Sequence, residues 1–130
     1  MNRPYNQFEL PGAINISILV IWMCSLIVII YFSLQPSMAI TTPSRYLDKI
    51  FHLLSYLWLA MLLALYFRTR KSFLLVPVLL ILLGIALEII QSYIPGRFFS
   101  VPDMISNSLG VVAGALLGKK IKSLLAKAIS

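Results

Sequence analysis

The chain has 130 residues, is 60% hydrophobic, and carries only 12% charged residues. A soluble domain would be near a quarter charged, so one compact membrane domain fits and a two-domain soluble protein is excluded. The net charge of +7 does not point to nucleic acid, because the basic residues lie between and after apolar runs, where topology signals belong. Four acids are present, Glu9, Asp48, Glu88 and Asp103, and the last three sit in or beside apolar sequence.

Residues 1–12 read as a polar N-terminal arm that is poorly ordered or interfacial. The first apolar run, 13–34, has no charge and is long enough to cross a hydrocarbon core of about 30 Å. A cleaved signal peptide would have a shorter apolar region and a small-residue cleavage site, so this run is expected to be a retained span. Cys24, the one cysteine, lies inside it, which excludes a disulfide framework and a Cys-based metal site.

After a turn-rich connector, Thr42 and Pro43 read as the N-cap and first position of a second helix. Its membrane span is expected over 48–67. Arg68, Arg70 and Lys71 mark a tight basic hairpin. A third span is expected over 73–94, with Pro77 near its first turn, where proline does least harm. Pro95-Gly96 would stop it, and Ser100-x-x-Asp103 resembles a capping box opening a fourth, short span over 103–118. Residues 119–130 read as a basic tail in which Lys119, Lys120 and Lys122 snorkel while Ile121, Leu124 and Leu125 continue the apolar face.

This predicts an all-α membrane protein with four transmembrane helices. Arg3, Arg68, Arg70, Lys71, Lys119, Lys120, Lys122 and Lys127 fall on one side, against Arg45, Lys49 and Arg97 on the other. The excess places both termini in the cytoplasm.

Helical spacing puts Asp48, His52 and Ser55 or Tyr56 on one face of the second helix, and Gly84, Glu88 and Gln91 or Ser92 on one face of the third. Asp103, Asn107, Gly110, Gly114 and Gly118 draw one stripe on the fourth, and glycines at spacing four let two backbones approach closely. With the third helix ending at Ile94, Glu88 would lie about 9 Å below its end. Seven polar groups (Asp48, His52, Glu88, Gln91, Arg97, Asp103 and Asn107) are then expected at one depth in the outer leaflet. Polar groups at such depth are costly and usually functional.

Each has a plainer role. Asp103 can serve as a cap partner, Asp48 can pair with Lys49 or Arg45, and Arg97 can anchor to lipid phosphate. His52 can be a satisfied interior histidine, and Glu88 a structural link to Gln91 or Asn107. As a set they suit three chemistries. Asp48, His52, Glu88 and Asp103 are ligand types for a divalent metal, although their spacing matches no specific metal motif. His52, Glu88 and Asp103 are the candidate catalytic groups, with Glu88 and His52 exchanging protons. Alternatively Arg97, Gln91 and Asn107 hold a phosphate or sugar head group.

Asp48-Lys49-x-x-His52-x-x-x-Tyr56, Glu88-x-x-Gln91 and Pro95-Gly96-Arg97 are followed by Ser100-x-x-Asp103-x-x-x-Asn107-x-x-Gly110-x-x-x-Gly114. With Phe32-Ser33-x-Gln35-Pro36 at the end of the first span, this pattern resembles the VanZ-like membrane protein family, in its short single-domain branch. Leu34 stands where a second serine is common in that family. The resemblance implies a multi-pass protein of the bacterial inner membrane, and the family's namesake is associated with resistance to the glycopeptide teicoplanin. The leading expectation is a cell-envelope protein whose outer pocket binds a membrane lipid head group or a lipid-linked cell-wall precursor. The alternatives are a hydrolase or transferase acting on such a lipid, a proton-coupled transporter built as an oligomer, and a packing subunit whose polar groups only join helices.

Overall fold

A computed structural model describes residues 10–36, 45–67 and 69–129. Thr42 and Pro43, read as the start of the second helix, lie outside the described residues. Four helices follow in order: α1 (Gly12–Ser33), α2 (Arg45–Tyr66), α3 (Arg70–Gln91) and α4 (Val101–Ile129). Three of them, over Gly12–Ser33, Tyr46–Tyr66 and Arg70–Gln91, are long and apolar enough to cross a membrane.

Their outer surfaces are apolar to a degree that water would not tolerate. Ile16 and Phe32 on α1, Leu74 on α3 and Leu116 on α4 are each at least 60% exposed. A hydrocarbon solvent removes that penalty, while helices keep every backbone group paired internally. The core is small, with Tyr56, Leu59, Ala60 and Leu63 of α2 meeting Leu80 of α3 and Val111 of α4.

α2 and α4 form the most extensive pair, and the glycine stripe is the reason. A Cβ at Gly110 would collide with the Leu53 carbonyl oxygen, one at Gly114 with that of Leu57, and one at Gly118 would stand 2.6 Å from that of Met61. Only glycine admits the α2 backbone this near. α1 is the loosest element; Asn15 is its one buried residue, and its Nδ2 donates to the Leu10 carbonyl at 3.0 Å.

Several boundaries differ from the sequence expectation. α3 starts at Arg70, where Thr69 Oγ1 accepts from the Ser72 amide at 3.1 Å. Pro77 therefore lies inside the helix rather than in its first turn, and it withholds one N–H from the hydrogen-bond ladder. α3 also ends at Gln91 rather than Ile94. Glu88 is consequently only three residues, about 4.5 Å of rise, from the helix end.

The turn that follows uses Pro95 and Gly96 as a type II turn does. The Arg97 amide donates to the Ile94 carbonyl at 3.1 Å, and Gly96 holds φ of 79°, the left-handed position that favours glycine. Ser100 then caps α4, its Oγ accepting from the Asp103 amide at 3.3 Å. α4 continues through the basic stretch after Gly118 to Ile129, so that stretch is helical. There Lys122 is buried, and its Nζ donates to the Phe67 carbonyl at the end of α2 at 2.7 Å. Lys119 lies 5.3 Å over the Phe73 ring.

Candidate functional site

α1 and α3 finish where α2 and α4 begin, and the polar residues gather at that end. Glu88 is the most deeply enclosed of them at 1% exposure. Its Oε2 accepts from the Ser100 amide at 3.3 Å, while its Oε1 stands 4.0 Å from His52 Nδ1. The neighbours of Glu88 are thus a backbone donor and the His52 imidazole, and not the Gln91 or Asn107 amide of its plainer structural role.

His52 Nδ1 also lies 3.1 Å from Asn107 Oδ1, and its Nε2 stands 3.9 Å from Asp48 Oδ1 one turn earlier on α2. His52 thus has oxygen atoms near both ring nitrogens, those of Asn107 and Glu88 at Nδ1 and that of Asp48 at Nε2. Asp103, buried, pairs with Lys49 across the α2–α4 seam at 2.8 Å. Lys49 therefore serves Asp103 rather than its own neighbour Asp48, and the cap of α4 falls to Ser100.

Tyr56 shows what the helical pattern could not. It is 2% exposed, and its hydroxyl has no hydrogen-bond partner among the described residues. Gly84 lies beneath it, because a Cβ there would meet the Tyr56 ring and Asn107 Nδ2 at 3.3 Å. A buried phenol hydroxyl without a partner is costly unless something else completes it.

Gln91 and Arg97 turn to a different task. Gln91 Nε2 donates to the Ser33 carbonyl at 2.8 Å, Arg97 Nε to that of Gln35 at 3.1 Å, and an Arg97 terminal nitrogen to that of Phe32 at 3.3 Å. The last carbonyls of a helix have no intrahelical donor, and these two side chains supply donors at the C-terminus of α1. Arg97 thus spends Nε and one terminal nitrogen on α1. The signal available in sequence was the helix end at Phe32–Gln35, which needs donors from elsewhere.

A pocket of about 370 Å³ opens where these groups meet. Val28, Ile29 and Phe32 of α1 form an apolar wall; Asp48, His52 and Tyr56 of α2 face it, and Gln91 and Arg97 close one end. Asp48, His52 and Asp103 also bring one ligand atom each within 4.8 Å of one another. Structure thus gathers His52, Asp48, Glu88, Asp103, Asn107 and Tyr56 around one point, with Gln91 and Arg97 at its margin.

The family model described as VanZ/LLP1 matches residues 9–124. No curated protein and no solved structure gives a significant match.

Proposed function

The chain belongs to the VanZ/LLP1 family, and from that premise we propose that it is an integral membrane protein of the bacterial cell envelope. Its pocket binds the head group of an envelope lipid or of a lipid-linked cell-wall precursor. All four helices span the inner membrane, with both termini in the cytoplasm and the pocket in the outer leaflet. Eight basic residues against three on the two sides support that orientation, and it turns the pocket toward the side where such lipids are displayed.

The observation that carries the reading is the pocket's two-sided lining. An apolar wall from α1 faces Asp48, His52 and Tyr56 of α2, and the buried Tyr56 hydroxyl has no partner among the described residues. Lipids have that same division between chain and head group.

Binding of a polyprenyl phosphate to purified protein in nanodiscs, read by native mass spectrometry, tests the reading. Tyr56→Phe removes the orphan hydroxyl without changing packing volume, and His52→Gln alters the facing wall. Both variants should bind more weakly than the parent. Equal binding by folded variants would defeat the proposal.

A further inference from the structure

We infer that Asp48, His52 and Asp103 form a divalent-cation site, and that the cation recruits the phosphate of the head group into the neighbouring pocket. This rests on the lipid-binding reading above and names the ligand chemistry that it leaves open.

The first argument is charge. An anionic group entering the pocket meets Asp48 directly, with Asp103 and Glu88 close behind. Two basic groups at this end are already engaged. Lys49 is held by Asp103, and Arg97 spends Nε and a terminal nitrogen on the carbonyls of α1. Among the described side chains, three carboxyl groups against two engaged cations are a poor receptor for phosphate, and a divalent ion reverses that balance.

The second argument is ligand geometry. Asp48 and His52 stand one turn apart on α2, and Asp103 comes across the seam from α4, so two tightly packed helices hold the set. His52 Nδ1 faces Asn107 Oδ1 at 3.1 Å and leaves Nε2 toward Asp48. Donating the far nitrogen to an oxygen acceptor is how metal-bound histidines are oriented. Ligand atoms on one tetrahedral zinc ion, with bonds of about 2.0–2.2 Å, stand about 3.4 Å from each other. From the present limit of 4.8 Å the three must draw together by about 1.4 Å, through rotation of the side chains.

The third argument is independent of the acids. Tyr56 lines the same pocket as Asp48 and His52, and its hydroxyl is buried and lacks a partner among the described residues. It is a donor awaiting an oxygen, and a phosphate oxygen supplies one. Two carboxylates and one imidazole suit Zn²⁺ or Mn²⁺ better than Ca²⁺, and three protein ligands leave coordination positions open to phosphate oxygens. Lys49 competes for Asp103, so its ammonium occupies part of the position that the ion would take.

The experiment is a Mn²⁺ titration of the full chain in detergent, followed by electron paramagnetic resonance, with Zn²⁺ as competitor. One ion per chain is expected. Asp48→Asn and His52→Gln should weaken binding at least about tenfold, and Asn107→Ala about ten- to hundredfold, as loss of an orienting partner does. Lys49→Met should tighten it, a gain that misfolding cannot imitate. No binding to the parent, or parental affinity in folded Asp48→Asn and His52→Gln, overturns the inference. Polyprenyl phosphate binding with and without EDTA separates the two readings. Lipid binding that EDTA leaves intact sinks the cation site and spares the pocket, whereas loss on EDTA treatment and return with Mn²⁺ supports both. No lipid binding under any condition sinks the lipid reading itself.

Discussion

Replacing Gly114 by alanine tests the feature on which the site's geometry depends, the close approach of α4 to α2. A Cβ at that position would stand 2.9 Å from the Leu57 carbonyl carbon and 3.0 Å from Ala60 Cβ, and nearer still to the Leu57 oxygen. Carbon atoms in ordinary contact are about 3.5–4.0 Å apart, so the helices must part by roughly 1 Å. The obstacle is backbone, which cannot rotate away as a side chain can. Overpacking of this kind costs about 1–3 kcal/mol, and a loss near 2 kcal/mol lowers the folded-to-unfolded ratio about thirtyfold. Unfolding in mixed micelles with increasing dodecyl sulfate, followed by circular dichroism, reads the effect. Gly12→Ala is the control, having nothing within 4 Å of its added methyl. Gly84→Ala should fall between, since its neighbours at 3.3 Å are the movable Tyr56 ring and Asn107 amide. A Gly114→Ala protein as stable as Gly12→Ala would refute the argument and the α2–α4 packing with it.

Three further outcomes are expected. Glu88→Ala removes the acceptor of the Ser100 amide and should cost about 1–3 kcal/mol for the orphaned donor, with faster amide exchange at Ser100; Glu88→Gln keeps an acceptor and should cost less. The double variant Gln91→Ala with Arg97→Ala frees the Ser33, Phe32 and Gln35 carbonyls. Spin labels at Leu34 and Tyr93 should then show a broadened distance distribution, and an unchanged one would mean that these bonds do not hold the end of α1. For orientation, Phe98→Cys in a Cys24→Ser background should react with an impermeant maleimide from the periplasm, because Phe98 is 86% exposed. Lys127→Cys should react only after the cell is opened, and the reverse pattern would invert the topology.

Much of the helical layout was legible in the sequence because it depends on local rules. Apolar runs without charge specify spans, Pro95-Gly96 specifies a turn that needs one positive φ, and Ser100 three residues before Asp103 specifies a cap. The face of each helix was legible for the same reason, since 3.6-residue periodicity puts Asp48 beside His52 and lines up Gly110, Gly114 and Gly118 whatever surrounds them. The ends were less so: α3 gains Arg70, Lys71 and Ser72 and loses Ser92 to Ile94, because capping by Thr69 and the turn after Gln91 outweigh hydropathy.

Partner choice belongs to the tertiary structure. Lys49 reaches Asp103 rather than Asp48, Glu88 takes a backbone amide, and Gln91 and Arg97 serve carbonyls more than fifty residues away. Periodicity assigns a residue to a face, but height and rotation between two helices are set by what packs between them. Here that is a row of glycines against the α2 backbone. Carbonyl acceptors, moreover, are present at every residue and leave no mark in the sequence. The chain alone therefore announced which polar groups would face inward at one end of the molecule, and only packing decided which of them meet.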